Sequence, residues 1–336
     1  MTEEDEKEVK LLPKTPLFQV LLVSEKNHLS YCPIIRSGSN WIGKRLLELS
    51  GKYSPEEIAH LRQPPGLVAR QQYPYLSSWE KYSIVLPHSV NFMVVRHPFD
   101  RLLASYRHLL EDAEKDPHSY LKYGRRIVRT HRKVQGVGGG KEPSFEEFIS
   151  FIIDRDVRYL DDAWQPIARR CTPCHIPFTV IIHFETLWND TLWTWEHANL
   201  PKLNTTDYVN NKMTPDIRRK YFSEITIHQL AKLHHKYRID FDLFGYKVDE
   251  HLLYAQPGDE PLTSEILNSL PLSENKISNQ EADLTGKEES NSKEFSSKDS
   301  PNAIKFENEE FKDKKPPDDI HVLEHQEVVA PFIPNR

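Results

Sequence analysis

The sequence predicts an α/β fold with a central, mostly parallel sheet flanked by helices. Three observations carry this reading. Strand-like apolar runs alternate with helix-like stretches, Val90 to Arg96 is an apolar strand of the buried type, and helix-start residues follow directly on strand ends.

Taken in order, Leu17 to Val23 is an apolar run of strand length, and Tyr31 to Ile35 is a short strand. It runs into Arg36-Ser37-Gly38-Ser39-Asn40 and an amphipathic helix from Trp41 to Leu49. Ser39 or Asn40 would cap that helix, and Gly51 suits its end. After the Val90–Arg96 strand, Pro98 fits the first position of a helix reaching about Asp112, with Leu102, Leu103, Tyr106, Leu109 and Leu110 on one face. Phe145 to Ile153 reads as a short helix, Phe178 to Phe184 as a third strand, and Leu187 to His197 as the helix after it. Thr214-Pro215-Asp216 starts a helix expected to reach about Tyr237. No internal repeat is present.

Composition divides the chain unevenly. All six Trp lie at or before Trp195 and the last Tyr is Tyr254. Beyond it the residues are mainly Ser, Asn, Glu, Lys and Pro, too polar to offset the entropy of ordering. The expected organisation is a flexible start over 1–14, one domain over 15–254 and a disordered polar tail over 255–336. The net charge of −6 says little about partners, because much of the acid sits near the ends. Within the domain, Arg125, Arg126, Arg129, Arg132 and Lys133 form a basic cluster before Gly138-Gly139-Gly140. It reads either as a solvated loop or as a mobile collar for an anionic polymer.

No apolar stretch approaches the roughly 18–20 residues needed to span a bilayer, and the start lacks a signal-peptide pattern. The three cysteines include one close pair, Cys171-Thr172-Pro173-Cys174, expected as a structural disulfide or buried thiols rather than a redox centre. No second pair completes a zinc site. Asn189 and Asn204 begin glycosylation sequons, relevant if the chain enters the secretory pathway.

Two strand–loop–helix units carry the chemistry. In the first, free N–H groups of a helix start, the Ser37 and Ser39 hydroxyls and the Arg36 guanidinium make an anion site. The spacing of a Walker loop is absent, since Gly43-Lys44 is followed by Arg45. In the second, Arg96 sits at the C-terminal end of a buried strand, where open α/β sheets place ligands, and Ser105 lies two turns into the next helix, four residues after Arg101 and on the same face. An arginine and a hydroxyl so placed can hold a dianionic phosphate.

The string Val95-Arg96-His97-Pro98-Phe99-Asp100-Arg101-Leu102-Leu103-Ala104-Ser105-Tyr106 resembles the 3′-phosphate-binding motif of Golgi carbohydrate sulfotransferases, the group that includes the HNK-1 and the chondroitin and dermatan 4-O-sulfotransferases. Trp164-Gln165-Pro166, Cys171 to Cys174, His183 to Leu187, Tyr221-Phe222 and Tyr237 to Tyr246 resemble that family's later blocks, in matching order across residues 31–247. The resemblance implies a P-loop-like sulfotransferase fold and transfer of a sulfuryl group from 3′-phosphoadenosine-5′-phosphosulfate (PAPS) to a glycan hydroxyl. It implies that Arg96 and Ser105 bind the 3′-phosphate and that Arg36, Ser37, Gly38, Ser39 and Asn40 hold the 5′-phosphosulfate, with Arg36 acting on the leaving group. No metal is expected. The implied partner is a glycan acceptor, in one version an anionic polysaccharide, and not nucleic acid. The implied place is the lumenal side of the Golgi membrane.

Two departures stand out. The family usually has Lys in the 5′ loop where this chain has Arg36, and Ala163 stands where the family tends to have His. A guanidinium is not interchangeable with an ammonium, so these changes bear on rate more than on cofactor binding. The alternative reading is a catalytically impaired relative that binds nucleotide or glycan. Another nucleotide-using enzyme, such as a small-molecule kinase, lacks its Gly-Lys-Ser/Thr here. For a general base, His60, His88, His97 and Glu185 are the candidates. Trp188, Trp193 and Trp195 either stack on sugar rings or pack in the core.

Overall fold

In a computed structural model of the chain, the described residues are 20–258, apart from 74–75, 77, 133–139 and 204–212, together with Thr263 and Leu270. The readings of a flexible start and a disordered tail, Lys133, the glycine triplet up to Gly139, and Asn204 fall largely or wholly outside them. The described residues all belong to one unit, Met1–Ser273.

Four strands form one sheet in the order β1 (Leu22–Ser24), β2 (Leu29–Cys32), β3 (Val90–Val95) and β4 (Val180–His183). β1 pairs antiparallel with β2, while β2–β3 and β3–β4 are parallel. The mostly parallel sheet is therefore as the sequence predicts. β2 starts and stops earlier than Tyr31 to Ile35, because Pro33 has no N–H to give a ladder.

Helices cover both faces. The unit after β2 is α1 (Ser39–Ser50), followed by α2 (Pro55–Ala59), α3 (Pro65–Gln72) and α4 (Trp79–Val85). α1 begins two residues before the predicted start. Gly38 takes the cap position at φ 74 and no side chain caps the helix, so Ser39 and Asn40 are helical rather than capping. β3 feeds α5 (Pro98–Leu109), whose Leu102, Leu103 and Leu110 are fully buried, in line with the predicted face.

The chain then passes through a π-helical turn, Tyr120–Gly124, into α6 (Arg125–His131) and α7 (Phe145–Asp154). α7 is fixed by a capping box between Ser144 and Glu147. After α8 (Ile167–Cys171), β4 leads into α9 (Leu187–His197), at the predicted bounds. The single helix expected from Thr214 to Tyr237 is two, α10 (Pro215–Phe222) and α11 (Ile227–Phe244). Thr226 and Gln229 form a second capping box that restarts the helix after the break. α12 (Asp249–Tyr254) is the last described helix.

One apolar cluster joins α5, α7, α10 and α11 around Phe99, Phe148, Trp164, Phe222 and Phe241. Two more sandwich the sheet, one on Met93 and Val95, the other on Phe92 and Val94. Trp195 is core, edge-on to Phe92 at 5.9 Å, and Trp193 stacks on His197. The disulfide is Cys32–Cys171, not Cys171 with Cys174, whose thiol is exposed. It ties the end of β2 to the end of α8, a pairing set by the fold rather than by sequence proximity.

Candidate active site

The carboxyl ends of the three parallel strands converge. Cys32, Val95 and His183 end β2, β3 and β4, and the residues just beyond them include Arg36, Arg96 and Phe184. All three line a cavity of about 940 Å³. Its other walls come from α1 (Ser39, Asn40, Trp41 and Lys44), from the entry to α3 (Pro64 to Leu67, and Arg70) and from α5 (Ala104, Arg107 and His108). Five lining side chains are Lys or Arg, and none is a carboxylate. Such a wall holds a strong positive potential and selects anions.

Arg36 and Arg96 are the inner pair. Arg96 is 5% exposed, and its guanidinium lies 4.2 Å from the centre of the Phe184 ring. It donates 3.0 Å to the Arg36 carbonyl, which fixes the loop to the strand end. Its Nε, the Arg36 Nε and the Ser37 hydroxyl are buried without a hydrogen-bond partner. Buried donors left open in this way await a ligand or a water. Burial, and then the charge of Arg96, pushes the Arg36 pKa down to about 10, so it remains cationic at neutral pH. Burial likewise lowers that of Arg96.

The loop backbone is unusual. Arg36 has φ 69 and Gly38 φ 74, both left-handed. These two reversals turn the chain so that the uncapped start of α1 joins the cavity through Gly38, Ser39, Asn40 and Trp41. The start of a twelve-residue helix, whose first N–H groups have no partner within the helix, thus lines the same space as the arginines.

Arg101 builds the frame beneath. It is 1% exposed and donates to three carbonyls: Ile35 at 3.0 Å, Gln165 at 2.7 Å and Asp162 at 3.0 Å. One guanidinium therefore clamps the anion loop to the 162–165 turn. The sequence reading treated Arg101 only as a face-mate of Ser105. The signal it carried was an arginine inside an otherwise apolar helix face.

Ser105 sits apart from the cavity wall. The expected phosphate ligand does not line the cavity. It is fully buried, and its hydroxyl lies 2.7 Å from the Ala163 carbonyl and 3.0 Å from that of Arg101. The face of α5 toward the cavity is Ala104, Arg107 and His108, at the i, i+3, i+4 spacing of one helical stripe. Ser105 is one position off that stripe. Ala163 is 3% exposed and also not part of the wall, so its substitution for His leaves the cavity lining untouched.

The candidate bases sort clearly. His60 and His88 are exposed, and neither lines the cavity. Glu185 accepts from the His97 N–H at 3.2 Å and from the Tyr246 hydroxyl at 2.9 Å, which makes it a brace for the turn. His97 accepts from the Phe99 N–H and lies 2.7 Å from the Lys247 carbonyl, so both ring nitrogens are engaged. Burial and the neighbouring His251 push its pKa down to about 3. His97, Asp100 and His251 come together with ligand atoms within 4.8 Å of one another. Asp100 also receives the Arg218 guanidinium at 2.7 Å, and of the three side chains only the His251 Nδ1 is buried without a partner. The group is an ion network that locks α10 and α12 onto the start of α5.

The residue that sequence reasoning missed is His108. It lines the cavity, and burial followed by the charge of Arg36 lowers its pKa. Trp188 is half-buried and stands 5.9 Å from Trp41, edge-on, behind the cavity wall. Asn189 is exposed, but its sequon lies inside α9 with Thr191 fully buried.

A parallel sheet that brings a buried arginine, a half-buried one and an open helix start to one carboxylate-free cavity defines a protein built to grip a strongly anionic group. The comparisons give that class its name. A profile of the Sulfotransferase family matches residues 19–247, so the chain belongs to that family and is a sulfotransferase. Carbohydrate sulfotransferase 11 of Mus musculus is 29% identical over 249 residues, covering 69% of this chain and 68% of that protein. Carbohydrate sulfotransferase 10 of Gallus gallus is 28% identical over 251 residues, 69% and 68% of the two chains. Carbohydrate sulfotransferase 14 of Danio rerio is 30% identical over 247 residues, 70% of this chain and 64% of that protein. No solved structure matches the chain. The family supplies the reaction class, in which a sulfuryl donor gives up its sulfuryl group.

Proposed function

We propose that the donor is PAPS and the acceptor a glycan hydroxyl. One observation carries this: the strand-end cavity has five cationic side chains, no carboxylate, and buried guanidinium and hydroxyl donors without partners. In the proposed arrangement the α1 start, Ser37, Gly38, Ser39, Asn40 and Arg36 hold the 5′-phosphosulfate, while Arg96 holds the 3′-phosphate. Ser105 acts at one remove, by fixing the register of α5 through the Ala163 carbonyl. The family resemblance and the names of the three relatives support a sugar as acceptor.

In the transfer, the acceptor oxygen forms a bond to sulfur as the bond from sulfur to the 5′-phosphate oxygen breaks. Charge grows on that departing oxygen, and Arg36 with the helix N–H groups is placed to meet it. The hydroxyl proton goes to a base. His108 suits this role, because its lowered pKa keeps it neutral at pH 7. The bound product is 3′,5′-adenosine bisphosphate.

A Golgi-lumenal place accords with this reading. A Cys32–Cys171 disulfide is at home in an oxidising compartment. No described helix is long and apolar enough to cross a membrane.

Calorimetric titration with 3′,5′-adenosine bisphosphate, on the full chain, tests the reading. Wild type is expected to bind at micromolar concentration, and Arg96→Ala to weaken binding at least tenfold. A folded wild type that does not bind, or an Arg96→Ala variant that binds equally well, overturns the assignment.

A further inference from the structure

A second basic site lies on the π-helical turn Tyr120–Gly124 and on α6. Asp116 is close enough to Arg36 and His108 to act on both electrostatically. One helical turn further, at Tyr120, a cleft of about 520 Å³ opens. It is lined by Tyr120, Leu121, Arg125, Arg126, Val128 and Arg129.

The pairing pattern around this cleft is selective. Lys122 pairs with Asp161 at 3.3 Å, Arg132 with Glu147 at 2.7 Å, and His131 faces Asp154 at 3.2 Å. Arg125, Arg126 and Arg129 are exposed, and among the described residues none of them makes an ion pair. Arg129 lies four residues after Arg125 and three after Arg126, so it neighbours both on the exposed side of α6, away from the fully buried Ile127. The adjoining segment 133–139, Lys-Val-Gln-Gly-Val-Gly-Gly, contains no acid that could neutralise them. Beside the arginines, Leu121 is 61% exposed and Tyr120 half-buried, giving the cleft an apolar flank of the kind sugar rings pack on. The π-helical turn at Tyr120–Gly124 rotates this flank relative to α6, and such turns recur at functional sites.

We propose that Arg125, Arg126 and Arg129 form an exosite for a negatively charged stretch of the acceptor polysaccharide, outside the transfer cavity. The site rests on the sulfotransferase reading for the identity of its ligand. It adds that the acceptor is an extended polyanion carrying sulfate or carboxylate groups several sugars away from the hydroxyl that reacts. Guanidinium forks pair with such groups bidentately, while the tyrosine and leucine take the sugar faces. The charged stretch then raises the local concentration of the acceptor end at the cavity.

The test uses the full chain and a heparin hexasaccharide as probe, with maltohexaose as the uncharged control, by calorimetry at 0.15 M salt. Wild type is expected to bind the sulfated probe and not the control. The variant R125A/R126A/R129A is expected to lose the probe at least tenfold, while its affinity for 3′,5′-adenosine bisphosphate stays within twofold. All three side chains are exposed, so their removal leaves the core intact. Equal binding of the probe by the variant overturns the exosite. So does competitive displacement of the probe by 3′,5′-adenosine bisphosphate, which would put the probe in the transfer cavity. Binding of anionic phosphatidylserine vesicles without binding of the probe would assign the patch to a membrane surface and also overturn it. If the nucleotide fails to bind but the probe still binds and is lost in the variant, the exosite stands while the reading of the cavity falls.

Discussion

At the residue scale, two neighbours on α5 show where sequence reading reaches its limit. The motif from Val95 to Tyr106 locates the site, and Arg96 is where the strand-end argument puts it. The choice between Ala104 and Ser105 is a matter of about 100° of helix rotation, which depends on how α5 packs. Chemistry favours the serine as a ligand; packing turns it to the Ala163 carbonyl and leaves Ala104 on the wall. The same rotation puts His108 in the cavity, and no local pattern marks it. Its lowered pKa makes it neutral and able to accept a proton at pH 7. Sulfuryl transfer is therefore expected to fall as pH drops below the ordinary histidine value of about 6.5, because protonation removes the base. His108→Gln should lower kcat by about 10²–10⁴-fold and flatten that acid limb. A pH–rate profile of the variant that keeps the wild-type limb would assign the base elsewhere.

At the element scale, the anion loop is held by contacts that lie between backbones. A Cβ on Gly43 would stand 2.6 Å from the Gly66 nitrogen and 2.7 Å from its Cα, so α1 and the start of α3 touch without side chains between them. This contact sets the distance between Trp41 and Lys44 on one wall and Pro64 to Leu67 on the other. Gly43→Ala gains up to about 1 kcal/mol of helix propensity but forces backbone apart, at about 1–3 kcal/mol. The clash wins because neither partner is a flexible side-chain end. A net loss of about 1–2 kcal/mol is expected in denaturant titration, with weaker binding of 3′,5′-adenosine bisphosphate. Unchanged stability would mean that α3 can slide. The elements themselves were largely legible: β3, α5, α7 and α9 follow from apolar period and start signals. The break between α10 and α11 was not, because Tyr221 to Ile227 keeps a helical apolar period while the Thr226 capping box restarts the chain. Arg101 was misjudged for the same reason as Ser105: its partners are carbonyls 61 to 66 residues away in sequence.

At the scale of the whole molecule, one covalent link joins the strand that feeds the site to a helix distant in sequence. Cys32 immediately precedes the anion loop, and its partner lies 139 residues on. Closing so long a loop removes much freedom from the unfolded chain, so Cys32→Ser is expected to cost about 2–5 kcal/mol. Thermal unfolding with and without reductant measures it, and reductant should have no further effect on the variant C32S/C171S, which keeps only the Cys174 thiol. The same link has a consequence for how the protein is made. In the unfolded chain Cys171 has a second suitor three positions away, and loop closure favours that local pair over Cys32 by roughly 3 kcal/mol. During oxidative refolding in vitro the local Cys171–Cys174 bond is therefore expected to form first, and attack of the Cys32 thiolate on its Cys171 sulfur would then expel Cys174, the thiol that is exposed and free in the folded molecule. Cys174→Ser is expected to remove that exchange step and leave the single oxidation, so a variant that regains the Cys32–Cys171 bond no faster than wild type would rule the detour out.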